Sequence, residues 1–320
     1  MQKFDGEEIF PIIVDTHSYL KSVNFYLVKT VNALTLVDAG LDTDECWNTL
    51  MKTLHDNDFS LQDVTDIVLT HNHVDHVGLI NRITASHPIP VYAHQDAIPR
   101  LKRDREFFEM RVVFFANLYE KMGCGDAGKN QVNYLKQMME KNSTNKIHTE
   151  ITPIGEKHLG FDIIHVPGHA SDQIGLYSEI NNILFSGDLL INHISSNAFV
   201  EPNIKGERLP TLLQHRKSLE KVLTLSPKLV YSGHGILIEE VHSLIKKRIT
   251  DMERKAVKIK DLIEKGISTG NELAQFYYKK LYSTQFSLVM SEIIGQLDYL
   301  EYNRQITKEL REDGVWHYFV

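Results

Sequence analysis

Cysteine is nearly absent from this chain: two in 320 residues, Cys46 and Cys124. Two thiols cannot build a disulfide framework, and the scarcity fits a reducing compartment. No apolar run approaches the roughly 18 residues that a membrane-spanning helix needs. The opening Met-Gln-Lys-Phe-Asp-Gly-Glu-Glu is acidic where a secretion signal wants a basic start followed by an apolar stretch. The expectation is therefore a cytoplasmic protein with no membrane contact. Positive charge is also short: 42 Asp and Glu outnumber 35 Lys and Arg, for a net charge of −7. That balance disfavours a protein built to grip nucleic acid through a broad basic surface. The charge is uneven, with residues 1–245 at −9 and residues 246–320 at +2. There is no G-x-S-x-G to supply a serine nucleophile, no internal repeat and no low-complexity tract. With 42% hydrophobic and 24% charged residues, the composition excludes a disordered or collagen-like chain. The length admits one large domain, or a large one with a small companion.

What is present begins with alternating β and α signals. Residues 25–28 and 34–40 read as two strands joined by a turn through Asn32, and a helix is expected over 42–57 with Asp42 or Thr43 as its cap. The short apolar run 66–70 reads as a buried strand. A helix over 76–86 and a strand over 88–93 follow. Strands return at 161–166, 173–177, 182–185 and 228–231, with a helix over 209–225. Such alternation argues for sheets covered by helices. Residues 95–146 differ. Phe107, Phe108, Val112, Phe115, Leu118 and Tyr119 recur at helical spacing, and the glycines at 123 and 125 break the pattern before a second helix. We expect an inserted helical pair serving as a cover. After residue 239 the composition turns helical, with helices over 238–266, 268–281 and 286–301, and ends in a small hairpin around Gly314.

The chemistry concentrates in histidine, 16 residues in all, and in one motif, Thr70-His-Asn-His-Val-Asp-His-Val-Gly78. It places His71, His73, Asp75 and His76 just after a buried strand. In a random chain of this composition H-x-H-x-D-H should arise about 0.002 times, so a merely His-rich loop is a poor explanation. Imidazole and carboxylate at this density suit a borderline-soft divalent metal. Three more candidates sit at similar strand-to-loop junctions after a glycine: His169, Asp188 and His234. Five His and two Asp exceed the four ligands of one tetrahedral metal and suit two ions sharing a carboxylate.

With these motifs the chain resembles the metallo-β-lactamase superfamily over residues 25–237. The resemblance implies a four-layer αββα sandwich with its site at the sheet edges. It implies that one metal takes His71, His73 and His169, that the other takes Asp75, His76 and His234, and that Asp188 bridges them. Asp38, in Leu-Val-Asp-Ala-Gly, matches a supporting aspartate of the family. Residues 244–320 resemble the winged-helix extension of a branch that includes a β-lactamase-like protein with endoribonuclease activity. The expected division is thus a catalytic domain over 1–243, with its helical insertion at about 95–146, and a winged-helix-like domain over 244–320.

The implied mechanism is hydrolysis by a hydroxide bridging two Zn(2+) ions, with iron or manganese as alternatives. Asp75 would orient that hydroxide, and His193 is a candidate for the pocket or for proton delivery. His94 and His165 read as structural, whereas His17 and Tyr19 are candidates for the mouth. The favoured substrate is a small ester, thioester or lactone. The alternative is a metal-dependent phosphodiesterase or endoribonuclease, weakened by the small C-terminal charge. A di-iron oxygen reductase is disfavoured by His73 and by the lack of a flavin domain. The surplus of aromatics in 276–293 points to packing or homo-oligomer formation by the C-terminal part.

Overall fold

The continuous apolar runs become buried strands. In the computed structural model, which describes residues 2–4 and 6–320, the chain divides into two units. The first comprises Met1–Lys102, Ile147–Ser196 and Ser218–Ile245 and holds two sheets. The seven-stranded sheet runs β1 (Gln2–Phe4), β2 (Glu7–Asp15), β3 (Ser22–Lys29), β4 (Leu34–Val37), β5 (Asp66–Val68), β6 (Val91–Ala93) and β7 (Ile151–Pro153) in sequence order. Strands β1 to β4 form an antiparallel meander, and β4 to β7 are parallel. The five-stranded sheet joins β8 (Lys157–His158), β9 (Phe161–His165), β10 (Ile174–Ser178), β11 (Ile183–Gly187) and β12 (Leu229–Ser232) in the order β12-β11-β10-β9-β8.

Side-chain alternation decides what each face buries. Val28, Val37 and Val68 from the first sheet meet Ile174, Leu176 and Phe185 from the second in a shared inter-sheet core. Tyr26 anchors it, edge-on to Phe185 at 5.3 Å and to Tyr231 at 5.4 Å. The opposite face of the large sheet, including Phe25, Leu27, Leu36 and Ile67, packs on Cys46, Leu50 and Leu54. Those three lie four apart on the helix Asp44–His55 and so form one stripe. Thr43 caps that helix by accepting a hydrogen bond from Cys46 N at 3.2 Å. Leu219 and Val222 are buried on the later turns of the helix Thr211–Leu225. Ser218 Oγ on the same turns donates to the Pro167 carbonyl at 2.7 Å. The two sheets and their helices agree with the αββα sandwich that the family resemblance implies.

The second unit comprises Arg103–Lys146, Asn197–Lys217 and Lys246–Val320. Its membership differs from a linear division at residue 243. The inserted helices Arg105–Lys121 and Gly125–Lys141 share a hydrophobic core with the C-terminal helices rather than forming a cover that belongs to the catalytic domain. Phe115, Leu118, Tyr119 and Met122 meet Leu273, Met290, Ile293 and Leu297, all buried. The physical reason is apolar surplus. The C-terminal helices carry more buried surface than they can cover alone, and the insertion supplies the missing wall. The helix expected over 268–281 is broken at Lys279 (φ 44°), which separates Gly270–Tyr278 from Lys280–Thr284. The terminal hairpin pairs β13 (Thr307–Leu310) with β14 (Trp316–Phe319) around Gly314 at φ 78°.

Candidate metal centre

The site grows from strand ends. Beyond β4 the chain reaches Asp38, a non-glycine residue held at φ 61°. Beyond β5 it reaches Thr70 and His71. Asp38 ties these loops together: Oδ1 accepts from Thr70 N at 2.7 Å and Oδ2 from Thr70 Oγ1 at 2.8 Å. Oδ2 also sits 2.8 Å from His76 Nδ1. The short helix Val74–Val77 then aims Asp75 and His76 from one turn. Gly78 ends it where a Cβ would come within 2.1 Å of Asp42 N, so only glycine allows these loops to approach. Gly233 is equally constrained, since a Cβ there would lie 2.5 Å from both Asp188 Oδ1 and His76 Cε1.

All seven sequence-derived candidates converge. Ligand atoms fall into three overlapping groups, each within 4.8 Å: His71, His73 and His169; His71, His76 and Asp188; Asp75, His76 and His234. His73 Nδ1 lies 3.0 Å from His71 Nε2 and 2.9 Å from His169 Nε2. Asp188 lies centrally, with Oδ1 at 3.3 Å from His76 Nε2 and Oδ2 at 3.1 Å from His234 Nε2 and 3.4 Å from His169 Nε2. Asp75 Oδ2 is 3.5 Å from His234 Nε2.

The outer ring nitrogens are engaged elsewhere. His234 Nδ1–H donates to the Ser22 carbonyl at 2.7 Å, which turns Nε2 toward Asp188 Oδ2 at 3.1 Å. His76 Nδ1 faces Asp38, His169 Nδ1 faces Ser196 Oγ at 2.9 Å and His71 Nδ1 faces Thr70 Oγ1 at 3.1 Å. Such partners fix tautomer and ring orientation for ligands.

Burial and mutual charge both act on the cluster. Burial pushes His71 well below the usual histidine range, helped by His76 and His73. Burial acts the same way on His76, but Asp188, Asp38 and Asp75 outweigh it and raise it well above that range. Burial would raise Asp188, yet His76 and His234 hold it well below the ordinary carboxylate range. His76 Nε2 and Asp188 Oδ1 are buried with no hydrogen-bond partner. Imidazole nitrogens and carboxylate oxygens gathered within 4.8 Å of one another are what a divalent metal satisfies, so the donor set fits such an ion.

The remaining candidates have other surroundings. His193 Nε2–H donates to the Tyr19 carbonyl at 3.0 Å, and its ring lies against Gly235, where a Cβ would come within 2.8 Å of Nδ1. His94 stacks on His165 at 4.3 Å and accepts from Asp96 N at 3.2 Å, outside the ligand groups. Sequence reasoning missed the supports Ser22, Ser196 and Thr70, and also the bridge from Asn72 Nδ2 to Asp172 Oδ1 at 2.6 Å. Asp172 had a readable signal, because it closes the same motif as His169.

Fold and site together define a metal-dependent hydrolase. The model of the metallo-beta-lactamase superfamily matches residues 19–234, and the chain belongs to that superfamily. It is 31% identical over 314 residues to the probable metallo-hydrolase YqjP of Bacillus subtilis, with 97% of each chain covered. It is 23% identical over 301 residues to an atrochrysone carboxyl ACP thioesterase of Cryptosporiopsis, covering 92% of this chain and 76% of that one. The fold is shared with a metallo-beta-lactamase family protein of Thermus thermophilus, at a TM-score of 0.76 and 22% identity over 99% of both chains.

Proposed function

We propose a dinuclear zinc-dependent hydrolase, with iron or manganese as alternatives, acting on a small ester, thioester or lactone. The observation that carries this reading is the central carboxylate of Asp188, within 3.4 Å of His76, His169 and His234 nitrogens. His71, His73 and His169 would hold one ion; Asp75, His76 and His234 the other; and Asp188 would serve both. Bound there, the ions supply Lewis acidity toward the scissile group and acidify water toward a pKa of about 7. Asp75, the partly accessible carboxylate of the set, accepts a hydrogen bond from the attacking water and fixes its direction. Asp38 keeps His76 and Thr70 in register. His193 lines the rim. Its Nε2–H is already committed to Tyr19, so we do not assign it the leaving-group proton. The similarity to a fungal thioesterase favours a thioester among the three substrate types. We place the protein in the cytoplasm, a reading supported by two free, buried cysteines.

A second reading, a phosphodiesterase or endoribonuclease, is favoured by one observation. Residues 244–320 end in a two-stranded hairpin after successive helices, the order of a winged helix. A net charge of only +2 over residues 246–320 keeps it second. The test is metal analysis of chelator-free protein, followed by a panel of thioesters, lactones, phosphodiesters and RNA. We expect two ions per chain and thioester or lactone turnover. One ion or fewer, with both sites offered metal, overturns the dinuclear reading. Turnover of phosphodiesters alone promotes the second.

A further inference from the structure

A cavity of about 220 Å³ opens between the inserted helices, far in sequence from the metal-binding motifs and wholly within the second unit. Its walls include Phe108, Val112, Leu135, Met138 and Met139, and three arginines reach it: Arg103, Arg105 and Arg111. Two of these are neutralised. Arg111 Nε donates to Glu201 Oε2 at 2.8 Å, and its Nη2 donates to the other carboxylate oxygen. Arg105 is shared by Glu109 at 2.7 Å and by Glu140, itself a lining residue, at 3.4 Å, all three well exposed. Arg103 has no carboxylate within ion-pair distance among the described residues, and its Nε is buried without a hydrogen-bond partner. Its guanidinium lies over the Phe108 ring, Cζ to centroid 5.6 Å. Burial lowers its pKa, and neighbouring Arg111 adds to that. The residue also sits at φ 52°, a conformation that is costly outside glycine.

We propose that this cavity binds a small carboxylate with an apolar tail, its head on Arg103. A half-buried guanidinium without a counter-ion is an unmet demand for an anion. Its planar fork matches a carboxylate through two parallel hydrogen bonds, and stacking on Phe108 holds the fork in plane. One uncompensated cation calls for one negative charge rather than two. Val112, Leu135, Met138 and Met139 give the wall an aliphatic and thioether side, with Glu140, Asn142 and Ser143 as its polar side, and methionine adapts to flexible chains. At about 30 Å³ per water-sized group the cavity holds roughly seven such groups. That suits a chain near the length of octanoate, not a long lipid. The site is separate from hydrolysis and does not depend on the substrate proposed above.

The test is local, because the chain has only eight methionines and two of them line the cavity. Full-length, metal-loaded protein carrying 13C-methyl methionine is titrated with octanoate. The Met138 and Met139 methyl signals, assigned by Met→Leu substitution, should shift saturably with a dissociation constant at or below roughly 1 mM. Arg103→Gln should weaken this binding at least tenfold while the other methionine signals stay in place. Leu135→Trp, which fills the tail space and keeps Arg103, should abolish it and guards against a folding defect in the first variant. Octanol should leave the two methyls unmoved. The proposal is overturned by shifts that persist in Arg103→Gln, by octanol matching octanoate, or by no shift at these methyls in the parent protein. Tighter binding of octyl phosphate than of octanoate would overturn the single-charge assignment.

Discussion

The two units bury opposite chemistries. Around the metal centre the first unit hides histidines and carboxylates, including His71, His76, His234 and Asp188. The core of the second is apolar and aromatic, built on Tyr119, Met290, Ile293 and Leu297. Buried charges are tolerated only when they are paired or coordinate a metal, because desolvation otherwise costs several kcal/mol per ion. The polar cluster of the first unit therefore calls for a bound cation, whereas the second unit rests mainly on apolar packing. Chemistry and stability should fail independently in the two places.

The largest effect should come from Asp188→Ala. It removes the carboxylate that reaches His76, His169 and His234 together. With a loss of about 4 kcal/mol in transition-state stabilisation, hydrolysis should fall about a thousandfold, and metal content should drop by at least one ion. His94→Ala, changing a ring stacked on His165 outside the ligand groups, should leave the metal count intact. Equal metal loss in the two variants would show that the boundary of the centre is drawn in the wrong place.

A second break tests the dry character of the other unit. His215 is buried there, its Nδ1 has no hydrogen-bond partner, and burial pushes its pKa down to about 4 against partial opposition from Glu292. The unfolded chain takes up a proton near pH 6.5 while the folded chain resists until about pH 4. Stability is thus fully present above pH 6.5 and is lost as pH falls toward 4, by about 3 kcal/mol in all. Urea titrations across this window should show His215→Gln flattening the acid limb relative to the parent. An unchanged limb would mean that the imidazole is accessible.

Asp38→Asn should have a smaller effect, confined to the first unit. The carboxylate that accepts from Thr70 and faces His76 becomes an amide, which cannot accept at both oxygens. Outer-shell changes of this kind lower metal affinity by about 10–100-fold. Competition with a chromophoric chelator should show the loss, while the thermal midpoint of chelator-treated protein should move little. A loss of fold without a loss of affinity would make Asp38 a purely structural residue.

The contrast also explains what the sequence made legible. Candidate metal ligands announce themselves, because His71, His73, Asp75 and His76 are rare together and sit at a strand end. Their supports do not. Ser22 contributes a backbone carbonyl to His234, and any residue type can offer one. Strands β4, β5 and β10 were readable as short apolar runs, whereas β1, β7 and β8 are edge pieces of two or three residues with no pattern to see. The helices of 105–141 were readable as helices, but their partners were not. Helical periodicity names an apolar face without saying what covers it, so the shared core of Phe115 and Tyr119 with Met290 and Leu297 appears only in three dimensions.

The smallest expected effect concerns strain, which the two units use differently. Asp38 holds φ 61° in the first unit, where its carboxylate contacts Thr70 and His76. Lys279 holds φ 44° and ψ −111° in the second, at the junction of Gly270–Tyr278 with Lys280–Thr284. Its backbone N–H donates to the Gln275 carbonyl at 3.0 Å, closing the first helix, and its side chain is exposed. Such a conformation costs a non-glycine residue about 1–3 kcal/mol. Glycine removes that strain but gives back about 0.4–1 kcal/mol through a freer unfolded chain. Lys279→Gly should therefore stabilise the protein by about 1 kcal/mol, read as a higher urea midpoint at unchanged slope. Lys279→Ala keeps the Cβ and should gain nothing, which separates backbone relief from loss of the lysine charge. Asp38→Gly relieves a similar strain but deletes three hydrogen-bonding contacts, so it should lose metal affinity rather than gain stability. Equal midpoints for the glycine and alanine variants at Lys279 would show that the junction stores no strain.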